Sequence, residues 1–173
     1  MSYKAKAIAA PFYQNYLNKA EDKELNKALK ANLKSVEKFL NHIPAGKRTY
    51  AYAEGKWTVK QLLQHMIDTE RVFAYRALRF ARKDATPLPG FDENVWAANA
   101  TATTRKWSSL VNEFIAVRKT TLAFFEALDK KDLLSEGVAS NNPINVLALG
   151  YIIAGHANHH MDIIKERYLV KKK

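Results

Sequence analysis

Cysteine is absent from the 173 residues. No disulfide can form, and any bound metal must be held by nitrogen and oxygen ligands. Long apolar runs are missing too. The longest, Val146 to Ala157, is far short of the ~20 residues a transmembrane helix needs. The short run Ile8 to Ala10, preceded by Lys4 and Lys6, does not reach the ~7–15 apolar residues of a signal peptide. These absences lead to the expectation of a cytoplasmic protein with no membrane partner. There is no internal repeat, no low-complexity tract and no convincing alternating strand. One domain over residues 1–173, with a core from about 21 to 168, is expected.

Acidic residues are outnumbered. Lys and Arg total 28 against 17 Asp and Glu, a net charge of +11. Such an excess attracts anions, but here it is dispersed. Lys19, Lys23, Lys27, Lys30, Lys34 and Lys38 form one helical stripe with Glu21, Glu24 and Glu37 nearby, the pattern of a solvated face. No basic recognition helix or interleaved base-stacking aromatics accompany it, so a basic anion- or nucleic-acid-binding module stands only as a third reading of function. The tail Lys171 to Lys173 is expected to fray.

What is abundant is apolar residues, at 47%, arranged at helical spacing. Leu25, Leu29, Leu33, Val36 and Leu40 predict a helix from about Glu21 to His42. Phe12, Tyr13, Tyr16 and Leu17 predict a short extra helix before it. Thr58 and Gln61 have the spacing of a capping box and open a second long helix that fades near Lys83. A connection from Asp84 to Thr103, with Pro87, Pro89 and Gly90, resists helix; so long a connection is unusual in a compact domain. A third helix is predicted from about Thr104 to Leu128. Asn142 as cap and Pro143 at the first position predict the start of a fourth, running to about Tyr168. The fold class is therefore all-α, a four-helix bundle.

The fourth helix carries chemistry. Val146, Leu149, Ile153, His156, His160, Ile163 and Arg167 follow steps of three and four, so two histidines occupy consecutive positions of the predicted buried seam. Two unpaired buried imidazoles are costly, and one cation satisfies both, since i and i+4 rings share a face. Of the remaining histidines, His42 is at a helix end, His159 lies one position off the seam, and His65, flanked by Leu62, Leu63 and Met66, is the best third ligand. His65 lies roughly 10 Å from the start of its helix and His160 roughly 12 Å from the end of its own, at ~1.5 Å per residue. The depths match if these helices run antiparallel. The long Asp84–Thr103 connection, crossing between helices two and three, permits an up-down-down-up order. Helper candidates are Asp68, to orient an imidazole, His159, to shuttle protons, and Tyr168, to close the site. Glu70 faces elsewhere and is expected to pair with Arg71, Arg76 or a neighbouring helix.

The run Gly55-Lys56-Trp57-Thr58-Val59-Lys60-Gln61-Leu62-Leu63-Gln64-His65, its continuation Asp68 to Arg76, and Gly155-His156-Ala157-Asn158-His159-His160 with Tyr168 resemble the DinB-like (DinB/YfiT) superfamily. The resemblance implies a four-helix bundle with a metal site of His65, His156 and His160, zinc or nickel as the divalent ion, and a homodimer. It also implies enzymes that activate a small thiol cosubstrate or water, as transferases or hydrolases acting on small molecules. A stress-response or binding protein without turnover is the alternative. No motif in the chain specifies one thiol or substrate.

Overall fold

A computed structural model describes residues 3–21, 24–84 and 86–170; the expectation for the lysine tail falls outside them. A short helix α1 (Gln14–Lys19) precedes α2 (Leu25–Asn41), α3 (Val59–Ala81), α4 (Glu93–Asn99), α5 (Trp107–Glu126) and the single turn α6 (Lys130–Leu133). A hairpin of β1 (Glu136–Ala139) and β2 (Asn142–Asn145) then leads into α7 (Val146–Ile163), which ends in a π-helical turn, Ile164–Tyr168. Helices α2, α3, α5 and α7 form the bundle; no helix among the described residues is long and apolar enough to cross a membrane.

Cross-helix contacts fix the directions. Lys60 reaches the Arg105 carbonyl just before α5, and Glu70 pairs with Arg118 further along, so α3 and α5 run parallel. Tyr168 meets Trp57, and His156 meets both His65 and Phe73, so α7 runs against α3. Lys30 pairs with Glu126 while Asn32 accepts from Arg118, so α2 opposes α5. Gly150 lies under Leu25, Asn32 donates to Asn158, and Lys165 covers Phe39, so α2 and α7 are parallel. The order is up-down-down-up. The crossover must return the chain along α3, which is about 34 Å long at ~1.5 Å per residue.

Several local expectations are corrected. The first helix begins at Leu25, because Glu24 caps it by accepting from the Asn26 amide. The third begins at Trp107. The crossover contains α4, capped by Asp92, which accepts from the amides of Asn94 and Val95; that cap satisfies donors at the helix start and lets a helix form beyond Pro87 and Pro89. The fourth helix starts at Val146, with Asn145 as cap, accepting from the Ala148 amide at 2.8 Å. Asn142 and Pro143 instead belong to β2, where Pro143 faces Val138. The two loop residues, Ser140 and Asn141, both have positive φ, of 51° and 63°, which suits a two-residue hairpin turn. Gly137 is required there: a Cβ would meet the Phe80 ring of α3 at 2.1 Å. The capping box at Thr58 and Gln61 forms as expected.

The seam of α7 also shifts. Ile164 and Tyr168 are buried, while Ile163 is half-buried and Arg167 exposed. The π-helical turn has more residues per turn than an α-helix, so the buried face moves from the 163/167 positions to 164/168. Upstream, Val146 to Ala157 is buried on every side, because α1, α2 and α3 all pack on it; a helix apolar all round belongs inside.

Candidate metal centre

His65 comes from the second turn of α3, and His156 and His160 from consecutive turns of α7. The three rings turn the same atom inward. His65 Nε2 lies 3.1 Å from His156 Nε2, and His160 Nε2 lies 3.0 Å from it. The three ligand nitrogens all lie within 4.8 Å of one another. His156 is 5% exposed and His160 7%, and His65 is half-buried.

Burial is the first cause of their shifted acidity, and repulsion from neighbouring imidazoles adds to it, from His159 for His65 and from triad partners and His159 for His156 and His160. The pKa of His65 is pushed down to about 4, and His156 and His160 are held well below the usual imidazole range. All three are neutral at physiological pH, each with one lone-pair nitrogen. A neutral His156 Nε2 carries either a proton or a lone pair, so it cannot make a full hydrogen bond to both neighbours at once. Two nitrogens ~2.05 Å from a tetrahedral ion stand roughly 3.3 Å apart, close to the spacing seen. The donor set therefore fits a metal ion. Behind the rings, Thr69 Oγ1 lies 3.4 Å from His65 Nδ1, and His160 Nδ1 is buried without a hydrogen-bond partner among the described residues.

The remaining sequence candidates lie around this cluster in different ways. Asp68 accepts from Gln64 at 2.9 Å and faces Arg71 at 3.6 Å; it is Thr69, not Asp68, that stands against an imidazole. His159 lies beside the triad, its ring 5.1 Å from His160 and 5.3 Å from Tyr16. Tyr168 donates to the Trp57 carbonyl at 2.7 Å, closing the end of α7 onto the entry to α3, and burial pushes its hydroxyl up to about 12. Glu70 pairs with the neighbouring helix, accepting from Nε and Nη2 of Arg118 at 2.7 and 2.8 Å.

A pocket of about 400 Å³ opens over the three histidines. Its walls include two residues the sequence did not single out for the site. Tyr16 of α1 sets its ring edge 5.3 Å from His156, and Arg76 of α3 lines the far end. The Trp57 ring is tilted against His65, with the centroids 5.0 Å apart. Phe91, from the crossover, also lines the pocket, so that segment both crosses the bundle and covers the site. The spacing of His65, Thr69, Phe73 and Arg76 was a signal in the sequence for this wall. Nothing local marked Tyr16.

An up-down-down-up bundle carrying a buried histidine triad beneath an open pocket defines a metal-centre type of helical protein. The chain belongs to the DinB superfamily, whose sequence model matches residues 28–164. It is 30% identical over 117 residues to an Oceanobacillus iheyensis protein named "Putative metal-dependent hydrolase OB0413". That match covers 66% of this chain and 66% of the relative, slightly under two thirds of its length. Its fold is similar to that of YfiT from Bacillus subtilis, described as "a probable metal-dependent hydrolase with an unusual four-helix bundle topology". The TM-score is 0.69 at 16% identity, over 92% of this chain and 87% of the other.

Proposed function

We propose that the protein is a metal-dependent hydrolase in which His65, His156 and His160 hold one divalent ion, zinc or nickel. The observation that carries this reading is the convergence of three neutral imidazoles on the floor of an open pocket, with His156 Nε2 at 3.1 and 3.0 Å from the Nε2 atoms of His65 and His160. Three protein ligands leave a position free for water or substrate, which separates catalytic from closed structural sites. When bound, the ion supplies Lewis acidity, lowering the pKa of a coordinated water or thiol and polarising a substrate carbonyl.

The chain's own residues do the rest. Thr69 Oγ1 stands where it can accept from His65 Nδ1 and hold that ring with Nε2 inward. Tyr16 keeps its proton, because burial, then Glu93 and Tyr13, raise its pKa, so its hydroxyl is a donor at the pocket wall. Trp57, Phe73 and Tyr13 limit water around the reacting groups. A small thiol as the activated nucleophile is the second reading, and the lack of cysteine favours it: such a thiol has to come from a cosubstrate. The homodimer implied by the family resemblance is read by light scattering.

The test is elemental analysis and turnover of protein purified after growth with zinc and nickel. About one equivalent of metal is expected, with its loss in His156→Ala, together with hydrolysis of members of an ester and amide panel. Turnover that requires an added thiol selects the second reading. A well-folded protein that takes up neither metal, or turnover that survives chelation and His156→Ala, overturns both. Metal without turnover across the panel favours a binding protein instead.

A further inference from the structure

Two arginines are deeply buried, and they are treated differently. Arg118, 0% exposed, is matched by the Glu70 carboxylate through two hydrogen bonds. Arg76, 2% exposed, has no carboxylate partner among the described residues. Its Nη2 donates to the Pro89 carbonyl at 2.7 Å and to Ser140 Oγ at 3.0 Å. Both acceptors are neutral, and among the described residues Nε and Nη1 make no hydrogen bond. An arginine cannot relieve burial by losing its proton, so an unmatched guanidinium is an expensive group to keep inside.

Arg76 lines the same pocket as the histidines. His65, Thr69, Phe73 and Arg76 follow steps of four, four and three, which is one face of α3. The ends of this row are roughly 16 Å apart at ~1.5 Å per residue. Helical side chains lean toward the N-terminus, and the guanidinium lies 5.8 Å from the Phe73 ring centre, back toward the metal ligands. The pocket thus has a nitrogen-rich end, an aromatic middle and a cationic end. The hairpin contributes to the last. Ser140 has φ of 51°, rare for a residue other than glycine, and its hydroxyl meets Arg76. Glu93, an exposed acid on the same pocket, disfavours a dianion more than a monoanion.

We propose that Arg76 and Ser140 form an anion subsite, and that the substrate of this centre carries a carboxylate at the end remote from its reacting bond. This deepens the hydrolase reading and rests on the same pocket being the substrate site.

The test uses the full chain with 3-phenylpropanoate, its uncharged amide, and 2-phenylethyl phosphate as probes, by calorimetry. The carboxylate should bind at least tenfold more tightly than the amide, and Arg76→Gln should erase that preference. In ¹⁵N spectra of the unaltered protein the Arg76 Nε–Hε resonance should move with the carboxylate and stay still with the amide. That measurement decides the matter even where Arg76→Gln does not fold. Equal binding of carboxylate and amide, or an unmoved Arg76 resonance at saturation, overturns the subsite. Tighter binding of the phosphate ester overturns the carboxylate assignment. Metal content of the same samples separates the two readings: carboxylate preference in a protein that takes up no metal leaves the subsite standing and removes the hydrolase.

Discussion

Gly155 of α7 lies directly against the backbone of Tyr16: a Cβ at Gly155 would stand 1.8 Å from the Tyr16 carbonyl oxygen. Glycine inside a helix costs about 1 kcal/mol relative to alanine, and here that cost permits α1 to seat on α7 next to His156. Gly155→Ala is expected to destabilise the protein by about 1–3 kcal/mol, because overpacking against backbone outweighs the propensity gain. Urea unfolding measures this. Displacement of Tyr16 should also raise KM more than the stability change alone explains.

The metal centre should be visible in stability as well as in composition. A ligand that binds only the folded state stabilises by about 4 kcal/mol when free metal is 1,000 times Kd. Chelation is therefore expected to lower Tm, and His65→Ala, His156→Ala and His160→Ala should each remove the chelator sensitivity. A Tm indifferent to chelation in the metal-loaded native protein contradicts the assignment.

Glu70 and Arg118 join α3 to α5 in the core, with Asn32 of α2 completing the Arg118 contacts and bonding onward to Asn158 of α7. Removing one partner of a buried pair leaves an unmatched charge, which costs about 3–5 kcal/mol. Glu70→Ala is expected to lose that much in urea denaturation. The double change Glu70→Leu with Arg118→Met should cost much less than Glu70→Ala alone, since no charge is left stranded.

Lys19 and Asp162 pin α1 to α7 at 2.6 Å. The lysine holds the Asp162 carboxyl below its usual range. A lowered folded-state pKa means the contribution is complete above the unfolded value of ~3.9 and fades as pH falls through the lower folded value. Both side chains are about a third exposed, so the contribution is small, about 0.2–1 kcal/mol. Asp162→Asn should slightly lessen the fall in stability below about pH 4 and leave unchanged the separate loss that the buried histidines cause as pH drops below their unfolded value of ~6.5. Unfolding midpoints across pH 2–7 check this.

The bundle, its direction and the triad were legible because their signals are local. Apolar steps of three and four mark each long helix, and the depth of His65 in one against His160 in another demanded antiparallel neighbours. The hairpin was hidden because Pro143 reads equally well as a first helical residue. The choice against that lay in Asn145, whose side chain caps α7 while accepting from the distant Ile8 amide at 3.1 Å. Arg167 was misplaced on the buried face because a π-helical turn leaves no mark in the residue pattern.

Spacing and composition alone determined that this is a cysteine-free helical bundle and pointed to His65, His156 and His160 as one cluster. The tertiary structure decided which side chains surround those histidines: Tyr16 across α1, Thr69 rather than Asp68, and Arg76 left without a carboxylate among the described residues while Arg118 received one. Periodicity records which face of an element is buried, because burial follows from repeat geometry within one helix. It does not record what lies opposite, because a partner is set by the packing of segments far apart in the chain.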